Sequence, residues 1–452
     1  MTSSPPKSAP AGPRRLVRVR RPADPAPTTL ASPLASDSLA WSLLLAARAI
    51  AAVRDGRSLS EALRALAGEP AAARAAAQDV AYGVFRRHGQ GDFILSKLLS
   101  KALGHAETEA LLLAALYRIE TRPEAVHTVV DQAVAASATL VGGALKGLVN
   151  GVLRNYLRQR ETLLAELERN DVAVHAHPAW WLARLRRAYP EQWPAIVAAG
   201  NAPPPMTLRV NARRGSREAY RERLAGCGLQ ARPVGRQGLI LATPVAVDLL
   251  PGFADGDVSV QDAGAQRAAE LLAPAPGARV LDACAAPGGK TAHLLEVGDL
   301  DLLALDIDAE RCRRIDDTLR RLGLAAQVRA ADAAAVDAWW DGRPFDAILA
   351  DVPCSASGVV RRHPDMKALR RESDLRPLVH TQAALLDALW PLLKPGGKLL
   401  YATCSVFTEE NAAQIDAFLH RQPEASCLHR EQLLPGDDHD GFYYALLRKA
   451  AE

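Results

Sequence analysis

The sequence predicts an α plus α/β protein. An all-helical N-terminal bundle comes first, then a small α/β segment, and last an α/β domain on a mainly parallel sheet. Three observations carry this. Between residues 38 and 160, apolar side chains recur at three-to-four spacing and never alternate as a strand would. From about residue 258 onward, short apolar runs alternate with helical stretches, the pattern of a parallel sheet covered on both faces. Within that part, Val280-Leu281-Asp282-Ala283-Cys284-Ala285-Ala286-Pro287-Gly288-Gly289-Lys290-Thr291 reads as a buried strand, a tight glycine turn and a helix. An open α/β sheet binds nucleotide-like ligands at such a place, beyond the strand's carboxyl end.

A chain of 452 residues has room for several domains. Hydrophobic content of 49% supports ordinary cores, and a net charge of +4 is compatible with an RNA partner without requiring one. Six cysteines lack paired short spacings, which argues for a reducing compartment, the cytoplasm, and against a disulfide framework. No Cys-x-x-Cys or His-x-x-x-His spacing suggests a metal, and no apolar run reaches membrane-spanning length.

In chain order, residues 1–37 are rich in Pro, Ala and Ser, with a basic run from Arg14 to Arg21, and are expected to be a disordered tail. Residues 38–160 form the helical bundle; Leu39, Leu43, Ala46 and Ala47 share one face, as do Val80, Val84 and Phe85. In its last helix Lys146, Asn150, Arg154 and Arg158 are each four apart, making one basic ridge suited to phosphates. Residues 161–257 hold further helices, with Trp180, Trp181, Tyr189 and Trp193 as packing aromatics, then a small α/β segment after Pro203-Pro204-Pro205. That segment is expected to buttress the next domain and to touch RNA through Arg209, Arg213 and Arg214. Residues 258–452 are the last domain, opening on Val258-Ser259-Val260.

The ligand of that domain follows from what the turn lacks and what the strand ends carry. Gly289-Lys290-Thr291 ends like a P-loop, but Cys284 stands where its first glycine belongs, and Gly-x-Gly-x-x-Gly is absent. Asp306, Asp332 and Asp351 each close a predicted strand, so three carboxylates line one rim. One suits a ribose diol, one an adenine amino group, and one balances a sulfonium. That set points to S-adenosylmethionine.

Two cysteines reach the same rim, Cys354 after Asp351-Val352-Pro353 and Cys404 after Tyr401-Ala402-Thr403. Carbon 5 of a pyrimidine is a poor nucleophile until a thiolate adds to carbon 6, so rim thiols suit methylation there. Spacing alone does not choose between them: a Pro-Cys pair favours Cys354, a Thr-Cys pair Cys404. A base attacked this way must leave its stack, so looped or opened RNA is the expected substrate. Arg361 and Arg362, following Cys354, are placed to reach phosphate or base. An N6 or ribose methyltransferase on the same fold would need neither thiol.

At Cys284 to Lys290, Leu305-Asp306-Ile307-Asp308, Asp351 to Asp365 and Tyr401 to Val406, the chain resembles the RNA cytosine-5 methyltransferases of the Fmu/Sun/Nop2 type. The resemblance covers nearly everything after about residue 38, and it narrows to members acting on bacterial 16S ribosomal RNA. It implies a Rossmann-like class I S-adenosylmethionine-dependent domain, an RRM-like segment before it and a NusB-like RNA-binding bundle at the front. It implies Cys404 as nucleophile, with Cys354 assisting product release beside Asp351. It further implies cofactor contacts from Cys284, Ala285, Ala286, Pro287, Gly288, Gly289, Lys290, Asp306, Asp332 and Asp351. A 16S rRNA substrate methylated at cytosine 967, a monomeric state and no membrane partner complete what it implies.

Overall fold

The computed structural model describes residues 34–451; the predicted tail falls almost entirely outside them. The helical region begins where Ser38 caps the first helix, its hydroxyl accepting from the Trp41 N–H at 3.1 Å. Helices Leu39–Arg54, Leu59–Arg64, Ala71–Arg86, Gln90–Leu98, Ala106–Thr121, Val126–Ser137 and Lys146–Leu167 surround one apolar core. Helix Ala106–Thr121 runs through its middle and buries Leu111, Leu112, Leu113, Leu116 and Ile119.

Helices Ala179–Ala188 and Trp193–Asn201 lead out of the bundle. Their aromatics do pack: Trp181 is fully buried among Val360, Leu375, Val406 and Phe407 of the last domain. The Tyr189 hydroxyl donates to the Val406 carbonyl at 2.9 Å. These helices thus rest on the segments that follow Cys354 and Cys404.

The small segment is a four-stranded antiparallel sheet: β1 (Thr207–Val210), β2 (Ala231–Val234), β3 (Gly238–Leu241) and β4 (Val258–Val260), in the order β2-β3-β1-β4. Strand β4 was expected to open the last domain. It pairs instead with β1, Leu208 opposite Val260, and so closes the small sheet.

The last domain is a seven-stranded sheet of β5 (Arg279–Asp282), β6 (Asp301–Asp306), β7 (Gln327–Ala330), β8 (Phe345–Asp351), β9 (Leu393–Thr403), β10 (Ala425–Leu433) and β11 (Phe442–Lys449), ordered β10-β11-β9-β8-β5-β6-β7. Strands β5 to β9 are parallel; β11 is antiparallel to β9 and β10 to β11. The central strands are apolar on both faces, and two clusters, one on each side, bury them beneath helices. Helix Leu375–Leu389 ends in a short 3-10 turn, Trp390–Leu392, in which Pro391 halts the helix before β9.

Candidate active site

Strand order reverses beside β5, so the crevice beyond its carboxyl end lies at the switch point of the sheet. The glycine turn fills that place. Gly288 has φ of +93°, and a Cβ there would meet the backbone of Ile315 at 3.1 Å, so a larger residue would strain the turn and crowd the neighbouring helix. Ala283 N–H donates to Leu349 O and Ala285 N–H to Leu305 O, stitching the turn to β8 and β6.

Register carries the carboxylates to the rim. Asp282 pairs with Ala304 and Leu349, Asp306 with Ala330, and Asp351 with Ala402. Asp306 and Asp351 each lie two residues beyond the partner of Asp282, which preserves their facing, while Asp332 and Cys404 fall just past the ends of β7 and β9. The Asp306 carboxylate accepts from Ala286 N–H at 3.2 Å and from Asp308 N–H at 3.1 Å, and pairs with Arg311 at 3.4 Å. Asp332 is exposed and accepts from Ala334 N–H, one step removed from this network. Lys290 Nζ lies 2.6 Å from Asp351 Oδ2. Burial works against the lysine's charge, but Asp351, together with Cys404 and Asp282, more than offsets it and raises its pKa.

Asp282, which the sequence reading assigned no role, belongs with this set. Its one oxygen accepts from Thr291 Oγ1 at 2.7 Å; the other is buried without a partner. Burial, then the charges of Asp351 and Asp306, push its pKa up to about 7. The cue was available, since Asp282 ends its strand as Asp306 and Asp351 end theirs.

The cysteines meet beyond β8 and β9. Cys354 Sγ and Cys404 Sγ are 3.4 Å apart, within sulfur hydrogen-bonding range. The Cys354 thiol is pushed well up by its hydrogen bond to Cys404 and by burial, so it stays protonated. Burial likewise pushes the Cys284 thiol up. The surrounding polar groups went unseen in the sequence. Arg370 donates to the carbonyls of Cys354 and Ser355 at 3.2 Å each, and Glu410 is buried between the two cysteine loops.

The basic residues divide. Lys146, Arg154 and Arg158 are exposed and make no ion pair among the described residues. Arg209, expected to face RNA, is buried instead and fully engaged. It forms a two-pronged pair with Glu296 at 2.7 and 2.8 Å and donates to Gly289 O at 2.8 Å. Arg213 is spent on the Leu295 and Gly298 carbonyls, and Arg214 leans on Asp257 at 3.6 Å. Arg361, expected to reach phosphate or base, is likewise buried, against Asp440, and donates to Gly436 O. Arg362 binds Asp440 and, at 2.7 Å, Asp262. Arg209 and Arg361 are buried away from any RNA surface, and the carboxylates beside them balance their charge.

The donor set fits S-adenosylmethionine: a glycine turn that admits close backbone approach, rim carboxylates for hydroxyl and amino donors, and a lysine–aspartate pair beside the sulfurs. Fold and site together define a Rossmann-like methyltransferase. A family model described as 16S rRNA methyltransferase RsmB/F matches residues 269–448. Models of the ferredoxin-like domain of RsmF/B-like methyltransferases and of the NusB family match residues 177–248 and 42–158. The chain is 47% identical to ribosomal RNA small subunit methyltransferase B of Pseudomonas putida over 90% of its own length and 98% of that protein. The crystal structure of PH0851 shares the fold, with TM-score 0.77 and 23% identity over 92% of this chain and 99% of that one. A methyltransferase homolog protein from Pyrococcus horikoshii is 27% identical with TM-score 0.56, covering 62% of this chain and 97% of that one. The chain belongs to the RsmB/F family of 16S rRNA methyltransferases.

Proposed function

We propose that this enzyme methylates carbon 5 of a cytosine in 16S rRNA, cytosine 967, through a temporary bond between Cys404 and carbon 6. The observation that carries the reading is the 3.4 Å approach of two sulfurs beside the Lys290–Asp351 pair. When bound, S-adenosylmethionine supplies an electrophilic methyl group; the glycine turn, Asp282, Asp306, Asp332 and Asp351 would hold it. Cys354, the more buried thiol, keeps its proton 3.4 Å from the Cys404 sulfur. The Cys404 thiolate forms the S–C6 bond, and the ring's electron pair moves to carbon 5, which takes the methyl group. Asp351, fixed by Lys290, polarises the base. The carbon 5 proton then passes to water, the ring is restored and the S–C6 electron pair returns to the Cys404 sulfur, with Cys354 assisting this elimination. The enzyme acts as a monomer in the cytoplasm, and the ridge of Lys146, Arg154 and Arg158 holds RNA phosphates.

The test is a pair of variants. Cys404→Ala should be inactive on 16S rRNA and form no adduct. Cys354→Ala should accumulate an RNA–protein species that survives a denaturing gel, and bisulfite sequencing should locate the modified cytosine. An adduct in Cys404→Ala that vanishes in Cys354→Ala would reverse the two roles; full activity in Cys404→Ala would end the thiol mechanism.

A further inference from the structure

Two sulfurs on loops from different strands do not keep a 3.4 Å spacing unaided. Each loop is pinned on both sides of its cysteine, and all the pins but that on Thr403, which ends on the adjacent Asn411, lead to one side chain. Glu410 is wholly buried in the segment following Cys404. One carboxylate oxygen accepts from Ser355 N–H at 2.8 Å and from Gln382 Nε2 at 3.1 Å. The other accepts from the hydroxyls of Ser355 and Ser405 at 2.5 Å each. Ser355 directly follows Cys354, and Ser405 directly follows Cys404.

The preceding residues are tied in the same way. Gln382, already bound to Glu410, donates to Pro353 O at 3.0 Å. Thr403 Oγ1 donates to Asn411 Oδ1 at 2.6 Å, while Asn411 Nδ2 donates to Ser405 O at 2.9 Å. Ser357 completes the bridge, its hydroxyl 2.9 Å from that of Ser405 and accepting from Val406 N–H. Among the described residues no cation pairs with Glu410; hydrogen-bond donors alone surround it. Burying a carboxylate away from any counter-charge is costly unless its acceptor sites are filled. Here every donor comes from a cysteine loop or from a residue bound to one.

We propose that Glu410 is a positioning residue that clasps the Cys354 and Cys404 loops together and sets the sulfur–sulfur spacing needed to eliminate the methylated base. This rests on the thiol mechanism above. An amide would turn an N–H₂ group toward donors, and an aspartate would be one methylene short of both loops. Either change lets the sulfurs part while the cofactor turn, held by β6 and β8, is untouched.

The test uses full-length Glu410→Gln and Glu410→Asp with a Ser355→Ala/Ser405→Ala double variant. S-adenosylhomocysteine affinity, KM for 16S rRNA, kcat and denaturing-gel adduct are measured for each. Misplacement by about an ångström lowers kcat about 100-fold. The expected result is that fall with KM and S-adenosylhomocysteine affinity unchanged and adduct accumulating, as in Cys354→Ala. Adding Glu410→Gln to the serine double variant should cost little more, since both break one clasp. A wild-type kcat without adduct in Glu410→Gln overturns the clasp. Should Glu410→Gln fail to fold, the serine variant decides: a wild-type rate overturns the proposal, and a slow, adduct-forming enzyme supports it. An active Cys404→Ala would sink the thiol mechanism itself, whereas an inactive Cys404→Ala beside a fully active Glu410→Gln would sink only the clasp.

Discussion

Arg209 and Glu296 form an ion pair with essentially no solvent access, at 2.7 Å between Nη2 and Oε1. The arginine belongs to β1 of the small sheet and the glutamate to the helix Gly289–Val297 that leaves the cofactor turn. A third donor of the same guanidinium reaches Gly289 O. The small sheet is therefore a brace for the cofactor turn. Arg209→Met should leave Glu296 buried and unpaired, costing about 3–5 kcal/mol of stability. Urea unfolding should show the lowered midpoint, while the salt dependence of RNA binding stays as in wild type. A shallower salt slope with unchanged stability would return Arg209 to the RNA surface.

The ridge of Lys146, Arg154 and Arg158 makes the opposite prediction. These side chains are exposed; Arg154 leans on Asn150 at 2.9 Å and Arg158 on Asn155 at 3.3 Å, neutral neighbours that leave the charges intact. Arg154→Ala and Arg158→Ala should weaken RNA binding without changing the unfolding midpoint. Each should make the slope of log affinity against log salt shallower by about 1. An unchanged slope in both variants would mean that RNA passes this face by.

Which of these basic residues is which could not be read from the chain. A helical i, i+4 series exposes itself by its period, so the ridge was legible. Arg209 lies on a short strand, and its burial depends on Glu296, 87 residues further on; Arg361 depends likewise on Asp440, 79 residues on. Strand β10 was missed because Ala-Ser-Cys-Leu-His-Arg-Glu-Gln-Leu has no clean alternation; it is an edge strand held by β11 alone. The parallel core was legible because apolar runs ending in Asp recur at β5, β6 and β8, and a glycine turn follows the first. Glu410 was not, since Glu409-Glu410-Asn411 reads as the solvated start of a helix until the fold closes two loops over it.

The seam between the helical bundle and the catalytic domain carries a buried lysine whose titration is measurable. Asp365 accepts from Leu59 N–H at 2.8 Å across this seam, and Lys367 donates to Arg86 O at 3.2 Å and to Asn201. Burial, then the Arg86 charge, lowers the Lys367 pKa to about 7 from its ordinary 10.5. His88, lowered by burial to about 4, and His177, lowered well below the ordinary 6.5 by burial, are neutral there at pH 7 and above. Between about pH 7 and 10 the unfolded chain holds a proton on Lys367 that the folded chain has shed, so stability rises with pH by about 1.4 kcal/mol per unit. Below pH 7 both states hold it, and the contribution is flat. Lys367→Met lacks this slope. Urea unfolding of wild type and variant at about pH 6, 7, 8 and 9 should therefore give a stability difference that is constant at first and then moves steadily in favour of wild type. A difference that stays constant up to pH 9 would show that the lysine keeps its proton when buried, and that the seam is held by a charge rather than by an amine.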